Sequence, residues 1–214
     1  MHTRTARPAR QKQNSAMTTA MASSSSLRGV TVPFLMILPL LFVVAALPAE
    51  VTVTGDGILL PSCKTVGGGS TYFDVQFCLD ALGSVGAGAG ARSYRDLAAV
   101  AVGLLTANAT STSVKIDALL RGGGGGGKVD AATARCLRSC QALYAGIARR
   151  QPGCAAAVRG GRLGEARSSL EESAAAARRC EDGFRGGNAT SPVTAEDDAA
   201  FKLAKLGVAL LGFA

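Results

Sequence analysis

Residues 131–184 read AATARCLRSCQALYAGIARRQPGCAAAVRGGRLGEARSSLEESAAAARRCEDGF, and their apolar spacing decides the fold. Before Gly160, the residues Leu137, Cys140, Tyr144, Ile147, Gln151, Cys154 and Val158 recur at alternating steps of three and four. After Gly161, the residues Leu163, Ala166, Leu170, Ser173, Ala177, Cys180 and Phe184 repeat the pattern. That alternation is the seam of helices packing nearly antiparallel at a shallow angle. The spacing therefore predicts helices over 131–158 and 162–184, folded about the Gly160-Gly161 pair. Seam residues about equally far from that pair should share a layer: Leu137 with Phe184, Cys140 with Cys180, Tyr144 with Ala177, Ile147 with Ser173, Gln151 with Leu170, Cys154 with Ala166. Cys140 and Cys180 thus face each other, and a bond closing that loop would stabilise the fold by roughly 4 kcal/mol. Pro152 should kink the first helix rather than end it, because the seam continues through Cys154 and Val158.

Downstream, 185–191 is a polar connection, and Thr194-Ala195-Glu196-Asp197 after Pro192 reads as the cap of a last helix. Its seam is Ala200, Leu203, Gly207, Leu210 and Ala214. Upstream, Ser93-Tyr94-Arg95-Asp96 has the hydroxyl-then-acid pattern of a capping box. The helix it opens, over 93–120, is given the seam Leu97, Val100, Leu104, Ala107, Ser111, Val114 and Ala118, with Asn108 one residue off it, where a glycan would point outward. The glycines at 122–127 break that helix, and Asp130 is placed to cap the next. Four seamed helices with short links make an all-α, up-and-down four-helix bundle over 93–214.

Residues 50–90 are less regular. Cys63 and Cys78 bracket a Gly-rich turn and Tyr72-Phe73, and a low-complexity VGAGAG run follows at 85–90. Two short helical pieces stapled by Cys63–Cys78 are the economical reading. With too few apolar residues for a core of their own, they form a disulfide-tied helical hairpin laid on the bundle.

The first 46 residues read as a leader. VTVPFLMILPLLFVVAAL at 30–47 is apolar, follows Arg28, and offers small residues for cleavage after Ala46 or Ala49. That is the pattern of a secretory signal peptide. The alternative, an uncleaved anchor, is weakened by Pro33 and Pro39. The leader holds five of the 23 basic residues and none of the 15 acidic ones, so the remainder carries about +3 rather than +8. Such a charge on one domain of that length gives no reason to expect nucleic acid as a partner. All six cysteines lie beyond the leader, which suits an oxidising compartment. Asn108-Ala109-Thr110 and Asn188-Ala189-Thr190 are glycosylation sequons, meaningful in a secreted chain.

Little in the chain speaks for catalysis. The single histidine, His2, is in the leader. The mature chain therefore has no Ser-His or Cys-His pair and no imidazole metal ligand, and neither cofactor nor metal is expected. Glu171-Glu172, Glu181-Asp182 and Asp197-Asp198 are sequence neighbours and diverge on a helix. The glycines at 122–127 followed by Lys128 fit a phosphate-loop skeleton, but Val129 stands where the hydroxyl belongs and no strand precedes, so a linker is the reading. Cys154 reads as a buried thiol. Cys136 is left as a free thiol, an intermolecular bridge, or a rival partner for Cys180. Arg159, Arg162, Arg178 and Arg179 are basic, and the first two flank the hairpin turn, as a loop aimed at an acidic cleft would.

Four stretches carry a resemblance: Cys63-Lys64-Thr65 through Phe77-Cys78-Leu79; Cys140-Gln141-Ala142-Leu143-Tyr144-Ala145; Cys180-Glu181-Asp182-Gly183-Phe184; and Ser191-Pro192-Val193-Thr194. In this order they resemble the plant invertase and pectin methylesterase inhibitor family over 50–214, most of all the invertase-inhibitor subgroup that includes a tree-pollen allergen. The resemblance implies a four-helix bundle with an N-terminal helical hairpin, disulfides Cys63–Cys78 and Cys140–Cys180, and a non-catalytic protein that blocks a carbohydrate-active enzyme. In the invertase-inhibiting branch a Pro-Lys-Phe turn between the central helices enters the sucrose-cleaving site. Here that position reads Gly161-Arg162-Leu163, basic then apolar without the proline and the aromatic ring. The expected partner is an acid invertase in the apoplast or vacuole, with no membrane attachment after cleavage. Pectin methylesterase is the alternative target, and a secreted bundle without an enzyme target the alternative class.

Overall fold

The computed structural model describes residues 57–84, 86–122 and 129–214, and these are entirely helical with connecting turns. Residues 1–56, which include the expected leader, together with Val85, most of the 122–127 glycine run and Lys128, lie outside the described residues. The helices are α1 (Leu59–Gly68), α2 (Val75–Gly83), the single turn α3 (Gly86–Ala89), α4 (Tyr94–Leu120), α5 (Ala131–Arg159), α6 (Leu163–Gly186) and α7 (Thr194–Leu211).

Helices α4 to α7 form a closed up-and-down bundle in which each packs against the next in sequence and α7 closes the ring against α4. Every residue of the α5 seam from Leu137 to Val158 is buried, and so is every α6 seam residue from Ala166 to Phe184, with Leu163 half-buried at the start. Cys140 and Cys180 are bonded across one layer, Cα to Cα 4.8 Å. Deeper layers are joined by Gln151 Nε2 donating to Ser173 Oγ (3.2 Å) and by the Cys154 thiol donating to the Ala166 carbonyl (3.6 Å). α5 runs unbroken past Pro152. That ring has no N–H to give the Ala148 carbonyl, a loss one exposed turn of a long, packed helix tolerates.

Three sequence expectations need correction. The α4 seam does not run through Val100, Leu104, Ala107, Ser111, Val114 and Ala118. The buried positions are Leu97, Ala98, Ala101, Val102, Leu105, Ala109, Thr112 and Ile116, while Val114 is 61% exposed. α4 carries apolar residues on neighbouring rows and must face both α5 and α7, so a single 3–4 track does not define its stripe. By length and composition α4 is apolar enough to cross a bilayer; in this bundle its stripe is covered by the two flanking helices. Thr194 is the second correction. It does not cap α7: it is the first helical residue, and its hydroxyl donates to the Glu181 carboxylate (3.1 Å). Ala214, drawn on the α7 seam, is exposed beyond the end of the helix.

The other caps follow the sequence. Ser93 Oγ accepts from the Asp96 N–H (3.1 Å), and Asp130 Oδ1 accepts from the N–H groups of Ala132 and Thr133 (2.8 and 3.0 Å). Asp96 turns back to the Arg92 N–H (3.0 Å), which holds its carboxyl below the ordinary carboxylate range.

The arm, α1 and α2, is stapled by Cys63–Cys78 with Cα atoms 5.5 Å apart. A Cβ on Gly67 would lie 2.8 Å from the Val75 backbone, so only glycine allows the two arm helices to come this close. Val66, Phe73, Cys78 and Leu82 enter the main core, so the arm completes the bundle's hydrophobic cluster.

Candidate functional site

The α5–α6 turn is built by a glycine closure. Gly161, at φ +72°, takes the left-handed conformation that L side chains avoid. This lets the Gly161 N–H reach the Val158 carbonyl (3.2 Å) and the Arg162 N–H reach the Ala157 carbonyl (2.9 Å), satisfying carbonyls that the end of α5 would leave open. Arg162 follows directly and starts α6 without a side-chain cap. Its Nε pairs with Glu165 Oε2 at 2.9 Å, both groups exposed. The guanidinium lies across Gly160, where a Cβ would meet Arg162 Nη1 at 2.6 Å. Leu163 is half-buried against the core and anchors the tip from beneath. Gly161 and Arg162 therefore face solvent at the tip, with Leu163 packed beneath them. Arg159 is exposed beside it. Arg178 and Arg179 are not part of this tip: they lie about four turns along α6, with Arg178 over the Phe201 ring at 4.2 Å.

From the tip a shallow groove of about 470 Å³ runs between α5 and α6, bounded by Arg162 and Glu165 at one end and Arg150 and Glu172 at the other. Cys154 forms part of its floor. Its thiol is only 2% exposed, and burial pushes its pKa up, so it is a poor nucleophile. Cys136 is half-buried and donates to the Gly183 carbonyl (3.4 Å); neither thiol is bonded to another cysteine.

One buried polar pair escaped the sequence reading. Tyr144 Oη donates to Asp197 Oδ1 at 2.7 Å, tying the middle of α5 to the first turn of α7. Burial pushes the Asp197 carboxyl up to about 7; the Tyr144 hydrogen bond opposes this and the nearby Glu181 adds to it. Burial likewise raises the Tyr144 hydroxyl above its ordinary range. The available signal was an aromatic hydroxyl on the α5 seam, which needs a partner when buried. Arg95 also went unread as a neighbour of the tip, because it is distant in sequence and only the closed topology brings it there.

The two sequons differ in setting. Asn188 is exposed just after α6, at φ 50°. Asn108 is half-buried against α7, and its Nδ2 donates to the Glu196 carbonyl at 3.4 Å.

An all-helical bundle held by two internal disulfides, with a stapled arm and a basic turn at one end, defines the class of this protein. The family model for plant invertase/pectin methylesterase inhibitors matches residues 61–210, and the chain belongs to that family. Among solved structures, a mutant form of a pectin methylesterase inhibitor from Arabidopsis is similar in fold, with a TM-score of 0.60 at 18% identity, covering 71% of this chain and 95% of that one. No curated protein matches the chain.

Proposed function

We propose that this protein is a secreted inhibitor of a plant acid invertase, acting by obstruction. The observation that carries the reading is the glycine-closed tip, which leaves Arg162 exposed over Gly160 on a hairpin braced by Leu163 beneath and tied by Cys140–Cys180 within the bundle. Arg162 would face the carboxylates of the target's catalytic cleft, with Leu163 packing beside it. A preorganised tip loses little entropy on docking, which favours tight binding by a small surface. The leader over 1–46, the two sequons and the paired cysteines support secretion to the apoplast or vacuole of the domain at 50–214.

The test is a paired assay of the purified, oxidised protein against acid invertase and pectin methylesterase near apoplastic pH. Inhibition of invertase, weakened about tenfold or more by Arg162→Glu with helicity intact, supports the reading. Inhibition of pectin methylesterase alone replaces the target, and inhibition of neither enzyme rejects an inhibitory role.

A further inference from the structure

The closed topology brings the start of α4 and the end of α7 to the same end of the bundle as the α5–α6 turn, and three side-chain placements show it. Arg95 Nη1 lies 3.9 Å from where a Cβ on Gly161 would sit. Arg167 Nη2 lies 3.5 Å from the same point on Gly212. The Tyr94 ring stacks on Phe213, centroids 5.3 Å apart and planes 29° from parallel.

These side chains are not explained by the fold alone. Arg95 is in the first turn of α4, where the helix dipole disfavours a cation, and no carboxylate pairs with it among the described residues. Phe213 follows the end of α7 and remains 56% exposed although it stacks on Tyr94. Together with Ile58 and Asp96, whose carboxylate is turned to the Arg92 N–H, these residues line an open recess of about 390 Å³ beside the tip. Arginine and aromatic side chains dominate the energetics of protein interfaces, because they bring large contact area and directed hydrogen bonds.

We infer that the docking face extends from the tip across the start of α4 to the end of α7, with Arg95 as a second carboxylate-binding residue and Phe213 as an apolar anchor. The partner is the same enzyme with an acidic cleft, so the inference rests on the invertase reading. The cleft's carboxylates would meet Arg162 and Arg95 side by side, and an apolar patch on its rim would cover Phe213.

The experiment measures half-inhibitory concentrations against purified acid invertase for the wild type, Arg162→Glu, Arg95→Glu, Arg95→Gln, Phe213→Ala and the distant control Arg138→Glu. Circular dichroism confirms the fold of each variant. The expected result is about tenfold weakening for Arg95→Glu, a smaller loss of about threefold or more for Arg95→Gln and Phe213→Ala, and a change within about twofold for Arg138→Glu. If Arg162→Glu weakens inhibition while the Arg95 and Phe213 variants match the control, the extended face is overturned and the tip stands. If the wild type does not inhibit invertase, the reading of the target falls, and this face falls with it.

Discussion

At Asp197 a carboxyl is 3% exposed, takes one hydrogen bond from Tyr144, and has Oδ2 without a hydrogen-bond partner among the described residues. Its proton is therefore held more tightly in the folded chain than in the unfolded one. Between the ordinary carboxylate range and about pH 7 the folded state binds the extra proton, so stability falls as pH rises through that window. The contribution is fully present below about pH 4 and is lost above about pH 7, a change of at most about 4 kcal/mol. Urea midpoints at pH 4, 5.5 and 7.5 should decline in that order, and Asp197→Asn should flatten the trend. A midpoint that rises from pH 4 to 7.5 would show that the Asp197 proton does not control the response. Gly161 allows a second test at this scale. Alanine there meets only an ordinary contact with Arg95, so its cost is conformational, about 1–2 kcal/mol, and Gly161→Asn should lose less because asparagine tolerates the left-handed region. Thermal unfolding of the two variants gives the ranking.

Among the elements, the two disulfides divide the labour. Cys63–Cys78 spans 15 residues wholly within the arm, whereas Cys140–Cys180 spans 40 and ties two bundle helices. On chain-entropy grounds each stabilises by roughly 3 to 4 kcal/mol, but the losses should differ in place. Replacing both arm cysteines by alanine should speed amide exchange over 59–83 while α5 and α6 keep their protection. Replacing Cys140 and Cys180 should lower the midpoint of the whole bundle. Hydrogen exchange read by mass spectrometry separates the two. The same contrast explains what the sequence made legible. α5 and α6 keep most of their large apolar residues on one row each, so their seam and the Cys140–Cys180 bond followed from spacing, while Gln151 pairs with Ser173 rather than sharing a layer with Leu170 alone. α4 has Val100 and Leu104 beside Ala101 and Leu105 and serves two partners, so its true stripe depended on which neighbours it meets. Thr194 and Asp197 were misread for a related reason: a hydroxyl and an acid at a helix start suit a cap, and tertiary partners on α5 and α6 claimed both side chains. The tip itself was legible because Gly-Gly and a basic residue are local features; Arg95 and Phe213 were not, since nothing local marks them as its neighbours.

Taken as a whole molecule, the bundle separates its two ends. The tip, Arg95 and Phe213 share one end, and the length of α6 puts its far terminus, with Asn188, roughly 35 Å away at 1.5 Å per residue. A glycan on Asn188 would therefore stand clear of the proposed docking end, and the exposed position after α6 gives a transferase access to the amide. Asn108 is half-buried, and its amide nitrogen already donates to the Glu196 carbonyl. The chain expressed through a plant secretory route should accordingly carry one N-glycan, on Asn188. Intact mass before and after glycosidase should show a single glycan, removed by Asn188→Gln and unaffected by Asn108→Gln. Carbohydrate at that position would lie at the far end from the proposed docking face, so stripping it should leave the proposed inhibition within about twofold. A glycan found on Asn108 would require α4 and α7 to part at that point, and loss of inhibition on deglycosylation would place the docking surface at the opposite end of the bundle.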